Sequence, residues 1–243
     1  MMNKTVAALA LTTLALTGCG EETKKQQLIV GTNATFPPFE YVGGESGTEI
    51  LGFDIDIAKQ IAADAGKELV IKDMKFDSLI VALNAGKIDM VAAGMTITPE
   101  RQQNADFSKP YYEATQYVIT QQGVSFSSSE QLKGKKIAVQ LGTTGDTIAQ
   151  ELTSDVASFN SGFEAVMELS NGKVDAVLFD AAPAKNLIAG KPQLQGALLE
   201  FNPEFYGFAV AKGNSEMLAQ INATLDKMQA DGSYNALLTK HIK

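Results

Sequence analysis

The chain is 243 residues long, 45% apolar and 20% charged, with a formal net charge of −8. An acidic chain without a basic stripe cannot neutralise a run of phosphates, which excludes nucleic acid as a partner. Its single histidine is His241 and its single cysteine Cys19, so no Ser-His-Asp or Cys-His set and no thiolate or histidine metal site can be assembled, and neither cofactor nor metal is expected.

In chain order, the first expectation is a segment outside the fold. Met1-Met2-Asn3-Lys4 is a short, weakly positive start, and Val6 to Leu16 is an apolar run too short for a permanent membrane helix. It ends in Leu16-Thr17-Gly18-Cys19, which resembles a bacterial lipoprotein signal. Residues 1–18 are then the signal peptide, Cys19 the lipidated residue and 19–27 a polar tether. The resulting location is periplasmic or cell-surface, with the membrane reached only through the N-terminal lipid. No later run approaches the ~18 apolar residues of a membrane span.

The remaining body, roughly 215 residues, is large enough for one large or two small cores. Short β-like runs alternate with helical patterns throughout, which indicates an α/β protein. Leu28–Gly31 reads as a strand and Asp54–Ala65 as a helix, with Asp54 capping or favouring its N-terminus. The segment Leu79–Asp89 then recurs as Ala165–Asp175, with leucine, glycine, lysine and aspartate in register. Each copy predicts a helix closed by a glycine turn, followed by a strand (Met90–Ala93, then Ala176–Phe179). Two similar α/β lobes follow from this echo: 28–114 with 209–243, and 115–208 including the hinge strands. Thr115–Thr120 and Phe205–Lys212 are the expected crossing runs. Helices at Ser215–Gln229 and Tyr234–Lys240 close the fold, and a cleft between two lobes is the usual place for a small ligand.

Several residues could serve that cleft. Arg101 is the only arginine in a chain with nineteen lysines; a guanidinium fork grips a carboxylate with two parallel bonds, although an ion pair would also explain it. Gly142-Thr143-Thr144-Gly145-Asp146 enters a helix after the strand Lys136–Val139, where free amides and the helix dipole favour an anion. Thr96 and Thr98 form a hydroxyl-rich turn beside Arg101. Asp180 ends a strand and either accepts from an ammonium or caps a helix over Ala181–Ala189. Phe36 and Phe76 either belong to the core or flank the ligand, where an aromatic face also attracts a cation.

Taken together, Gly31–Glu40, Gly52–Asp56, Gly94–Arg101, Asp106–Tyr112, Gly142-Thr143-Thr144 and Asp231–Tyr234 resemble the polar amino acid group of bacterial extracellular solute-binding proteins. The resemblance runs from about Leu28 to the C-terminus. It implies a two-lobed periplasmic-binding-protein fold (type II), probing the medium as a monomer, closing on one L-amino acid and delivering it to the permease subunits of an ABC transporter. By the same resemblance, Arg101 and the Thr143-Thr144 turn hold the α-carboxylate. The Gly94 carbonyl, the Thr96 hydroxyl and Asp180 hold the α-ammonium. Phe36 and Phe76 flank the side chain, with Asn33, Ala93 and Gln140 near its end. Many members carry aspartate where this chain has Asn33, which leaves glutamine as an alternative to arginine or another basic amino acid. Met95–Thr98 and Gln140–Asp146 are most similar to arginine binders. A rival from another class is an enzyme similar to periplasmic cyclohexadienyl dehydratases, which needs a general acid over the leaving hydroxyl.

Overall fold

The computed structural model describes residues 26–242. The signal peptide, Cys19 and nearly all of the tether expected from the sequence lie outside the described residues. Eight α-helices occur among them: α1 (Phe53–Asp64), α2 (Leu79–Asn84), α3 (Pro99–Asn104), α4 (Thr144–Leu152), α5 (Gly162–Ser170), α6 (Ala181–Ile188), α7 (Ser215–Asp231) and α8 (Ser233–His241). None is long and apolar enough to cross a membrane.

The helices cover two five-stranded sheets built to one plan. In the first, Gln27–Thr32 lies between Glu68–Asp73 and Met90–Val91, all parallel, and Ala209–Ala211 and Ala105–Phe107 complete the sheet. In the second, Ile137–Gln140 lies between Val156–Phe159 and Ala176–Asp180, again parallel. Gln116–Gln121 and Leu194–Leu198 complete it, each antiparallel to its neighbour. The protein is thus two-lobed and α/β.

The repeated segment explains this likeness residue by residue. Leu83 and Leu169 are buried in their lobes. Gly86 and Gly172 adopt φ of 66° and 70°, the left-handed conformation that glycine enters without penalty. Their amides bond Leu83 O and Leu169 O, while the lysine amides that follow bond Ala82 O and Glu168 O, each at 3.0 Å. Asp89 then ties the start of the first strand: its carboxylate accepts from the Ile29 amide at 2.8 Å and its own amide donates to Ile29 O at 2.7 Å. Asp175 makes the same pair with Lys136, both at 2.8 Å.

Two sequence expectations need correction. The crossing strands are Tyr112–Ala114 and Glu204–Tyr206, which pair antiparallel with each other. Gln116–Gln121 and Ala209–Ala211 lie just beyond them, inside the second and first sheets. Their continuous burial marks them as inner strands, which a hinge exposed to solvent would not tolerate. The second correction concerns Asp54, which caps nothing. Gly52 occupies the N-cap of α1, and Asp54 is fully buried, held by the Gly94 amide at 2.8 Å and the Tyr111 hydroxyl at 2.6 Å.

Aromatic side chains fill the floor under the cleft. Tyr111 stacks on Phe208 with ring centres 4.4 Å apart, and Phe39 meets Tyr206 and Tyr112 edge-on at 5.2 and 4.9 Å. Phe53 contacts Tyr234 of α8 at 5.6 Å, which fastens the C-terminal helix to the first lobe. Offset and edge-on ring pairs of this kind add about 0.5–1.5 kcal/mol each beyond area burial.

Candidate functional site

Thr98 closes the N-terminus of α3. Its hydroxyl accepts from the Arg101 amide at 3.2 Å, and Pro99 takes the first helical position, where a missing N–H costs nothing. This sets Arg101 in the first turn with its side chain over the cleft. Nη1 donates to Thr96 O at 2.7 Å and Nη2 to Gly142 O at 3.0 Å, the second bond reaching the opposite lobe. The guanidinium carbon lies 5.2 Å from the centre of the Phe76 ring. A guanidinium has five N–H donors, so its fork keeps donors for an anion after these two bonds. Burial draws the Arg101 pKa down, and the carboxylates of Glu204 and Asp180 oppose that shift.

Facing it, α4 begins at Thr144. The Thr143 side chain is its N-cap, accepting from the Asp146 amide at 3.3 Å and donating to Gln140 O at 2.8 Å. Thr143 is therefore committed to the turn itself. The Thr144 and Gly145 amides, first in the helix, point their dipoles out of its N-terminus, where an anion is stabilised.

Gly94 sits at φ 51° and a Cβ there would lie 2.6 Å from Cε1 of Phe36, so only glycine fits. Its amide is fixed by Asp54, which leaves its carbonyl free for another donor. Burial raises the Asp54 pKa to about 7, against the Gly94 and Tyr111 hydrogen bonds that lower it. Asp180 is buried at the end of its strand and occupies the N-cap position of α6, but its side chain makes no capping hydrogen bond. It accepts instead from Gln116 Nε2 and from the Tyr206 hydroxyl. Burial, then the charge of Glu204, push its carboxyl up from the ordinary range; Tyr206, Gln116 and Arg101 act the other way.

At the remaining wall, Asn33 and Gln140 meet across the lobes, Gln140 Nε2 donating to Asn33 Oδ1 at 2.8 Å. Asn33 also donates to Met74 O at 2.9 Å and accepts from the Thr35 hydroxyl at 2.8 Å. Phe36 packs edge-on against Phe179 at 5.3 Å.

Of the cleft residues named from the sequence, all but Ala93 and Thr98, the cap of α3, line one cavity between the lobes. Ala93 is buried in the first lobe's core, in one cluster with Leu79, Leu83 and Met95. The cavity itself is about 10 Å³, far below the ~300–1,000 Å³ of a ligand pocket. Admitting a ligand therefore requires the Arg101–Gly142 and Asn33–Gln140 bonds to break and the lobes to part.

Two lining residues had no role in the sequence reading, Phe179 and Glu40. Glu40 is fully buried, and neither carboxylate oxygen has a hydrogen-bond partner among the described residues. Burial raises its pKa well above the usual range, and the charges of Asp54 and Asp180 raise it further. The available signal was a lone acid inside Phe36-Pro37-Pro38-Phe39-Glu40-Tyr41-Val42, a run otherwise apolar. With Glu40, Asp54, Asp180 and Glu204 near a single Arg101, the site is strongly acidic. Among the described residues, no group of acidic, histidine or cysteine side chains is placed to hold a metal ion.

Residues 28–243 match the family model of bacterial extracellular solute-binding proteins, family 3. The chain belongs to that family. It is 35% identical over 242 residues to the arginine-binding extracellular protein ArtP of Bacillus subtilis (strain 168), covering 95% of this chain and 94% of ArtP. The fold is similar to an ancestral arginine-binding protein bound to arginine, with TM-score 0.83 and 44% identity over 89% of this chain and 98% of the other. An ancestral arginine-binding protein bound to glutamine gives TM-score 0.82 and 43% identity, over 89% and 97%. Family 3 proteins are solute-binding proteins, and the two-lobed cleft described above is the part of the chain suited to that task.

Proposed function

We propose that this protein captures a cationic L-amino acid, L-arginine before others, by closing its lobes, and presents it to the permease of an ABC transporter. The observation that carries this reading is Glu40. A buried carboxylate without a partner is costly, and a cation from the ligand would relieve that cost. The zwitterion balances on its own: Arg101 and the start of α4 receive the α-carboxylate, while Asp180, Gly94 O and Thr96 receive the α-ammonium. The acid left over selects a positively charged side chain, which supplies the discrimination that Asn33 lacks. The arginine-binding relatives support the same choice.

Glutamine is the second reading. The Asn33–Gln140 amide pair could exchange its bond for one to a ligand amide, and a structural relative binds glutamine. A neutral ligand would, however, leave Glu40 in the same unfavourable state. The protein acts as a binder without turnover, as a monomer, with lobes at 28–114 plus 209–243 and at 115–208. Cys19 carries the lipid anchor after removal of residues 1–18.

A thermal-shift screen of the protein beginning after Cys19, against the twenty L-amino acids, tests this. A ligand at a hundred times its Kd adds about 2.7 kcal/mol of stability. Stabilisation by arginine, with lysine weaker and glutamine weakest, is expected. Stabilisation by glutamine alone would move the assignment to the second reading. Silence throughout, with turnover of prephenate, would replace the binder with an enzyme.

A further inference from the structure

Glu204 lies on a crossing strand, outside the residues named from the sequence, yet its carboxylate joins both lobes. Oε2 accepts from the Thr96 hydroxyl of the first lobe at 3.1 Å and from the Thr144 hydroxyl of the second at 2.8 Å. Gln116 Nε2, which also serves Asp180, approaches the same oxygen at 3.3 Å. A threonine hydroxyl has one proton and two lone pairs, whereas a carboxylate only accepts. Both hydroxyl protons are therefore committed to Glu204, and what Thr96 and Thr144 have left to offer is lone pairs.

We propose that Glu204 is a positioning residue for ligand capture: by taking the hydroxyl protons of Thr96 and Thr144, one from each lobe, it makes both hydroxyls acceptors for the ligand's α-ammonium. The inference rests on the amino acid reading above and assigns that end of the site more finely. Thr96 joins Gly94 O and Asp180 in a set made only of acceptors. Thr144 serves the α-carboxylate through its amide alone, and its hydroxyl belongs with the acceptors. Because the two hydroxyls come from different lobes, the set is complete only when the lobes are together, so the ammonium is read at closure. An ammonium brings three N–H donors to these four acceptors; an α-hydroxy analogue brings one and a des-amino analogue none, and the site discriminates against both.

Two mutant cycles on the protein beginning after Cys19 test this. The first is calorimetric titration with L-arginine of Thr96→Val, Glu204→Ala and the double variant. Each single change should weaken binding about tenfold, and the double variant should be no more than about twofold weaker than Thr96→Val. Glu204→Gln, whose amide oxygen still accepts, should recover most of the loss, and Thr96→Ser should bind like the wild type. Multiplying losses in the double variant, or Glu204→Gln as weak as Glu204→Ala, would mean that Glu204 acts by charge at a distance, and the positioning role would be wrong. The second cycle needs no ligand: melting temperatures of the same variants should be non-additive if Thr96 and Glu204 are bonded. Additive melting shifts would overturn the proposal even if no amino acid bound. Absence of arginine binding in the wild type with coupled melting would instead count against the ligand assignment alone.

Discussion

The two lobes are built from the same unit but bring different groups to the cleft. Each contains a helix, a left-handed glycine, and an aspartate that ties down the first strand of its sheet. After its copy, the first lobe continues from Met90–Val91 into the Gly94–Arg101 loop and supplies a guanidinium, a carbonyl and a hydroxyl. In the second, Ala176–Asp180 ends directly in an acid, while Ile137–Gln140 runs into the N-terminus of α4. In the proposed arrangement each end of the zwitterion is held from both sides, the α-carboxylate by Arg101 and the start of α4, the α-ammonium by the Gly94–Thr96 loop and Asp180. The repeat supplies the scaffold, and the loops at the strand ends, which differ, supply the function.

The sharpest way to break this division is to remove one charge from each side. Arg101→Ala should weaken arginine binding by about 3 kcal/mol or more, over a hundredfold, and Asp180→Ala by a similar amount, since each leaves a ligand charge buried and unpaired. Calorimetry that found either variant near native affinity would show that its lobe does not hold the zwitterion. The scaffold half can be tested with Gly86→Ala and Gly172→Ala. No atom crowds a Cβ at Gly86 and the nearest at Gly172 is 3.7 Å away, so the cost is backbone strain alone, about 1–2 kcal/mol in each lobe. Equal losses in urea melts would confirm that the two turns are equivalent, and a large inequality would break the repeat. Gln140→Leu, which removes the bond to Asn33 across the lobes, should change closure and affinity by only about 1 kcal/mol.

A pH series separates the acidic site from its surroundings. Asp54, Asp180 and Glu40 all have pKa values raised above the ordinary carboxylate range. In that state the folded protein binds protons more tightly than the unfolded chain. Ligand-free stability should therefore fall as pH rises from about 4 towards 7, by these groups' contribution. Asp56, which burial would raise but Lys240, Lys59 and His241 together hold low, stabilises above its unfolded value and loses that contribution only in stronger acid. A cationic ligand favours the ionised forms of Asp180 and Glu40, so arginine affinity should rise several-fold between pH 5.5 and 7.5, with protons released on binding. Affinity independent of pH over that range would remove Glu40 and Asp180 from the ligand's surroundings.

Much of this arrangement was legible in the sequence because it depended on local rules. Gly86 and Gly172 follow apolar helices, Thr98-Pro99 is a helix start, and Arg101 is a unique residue type. What escaped depended on contacts far apart in sequence. Asp54 looks like a helix cap because it precedes an apolar helix, but its partners are 40 and 57 residues away. Ala93 is next in sequence to Gly94 of the cleft, yet it packs in the core with Leu79, Leu83 and Met95. Thr115–Thr120 has the composition of any strand, and only its burial assigns it to a sheet rather than to the hinge. Glu40 could not be recognised as buried and unpartnered from a one-dimensional pattern, since the residues that bury it come from both lobes.

The central claim is that an unpartnered acid in the cleft selects a cationic side chain, and the most direct test is to titrate wild type and Glu40→Gln with L-arginine and L-citrulline. Citrulline has nearly the shape of arginine without its charge. The wild type should prefer arginine at least tenfold, about 1.4 kcal/mol, and Glu40→Gln should lose most of that preference. Equal affinity for the two ligands in the wild type, or an undiminished preference in Glu40→Gln, would contradict it.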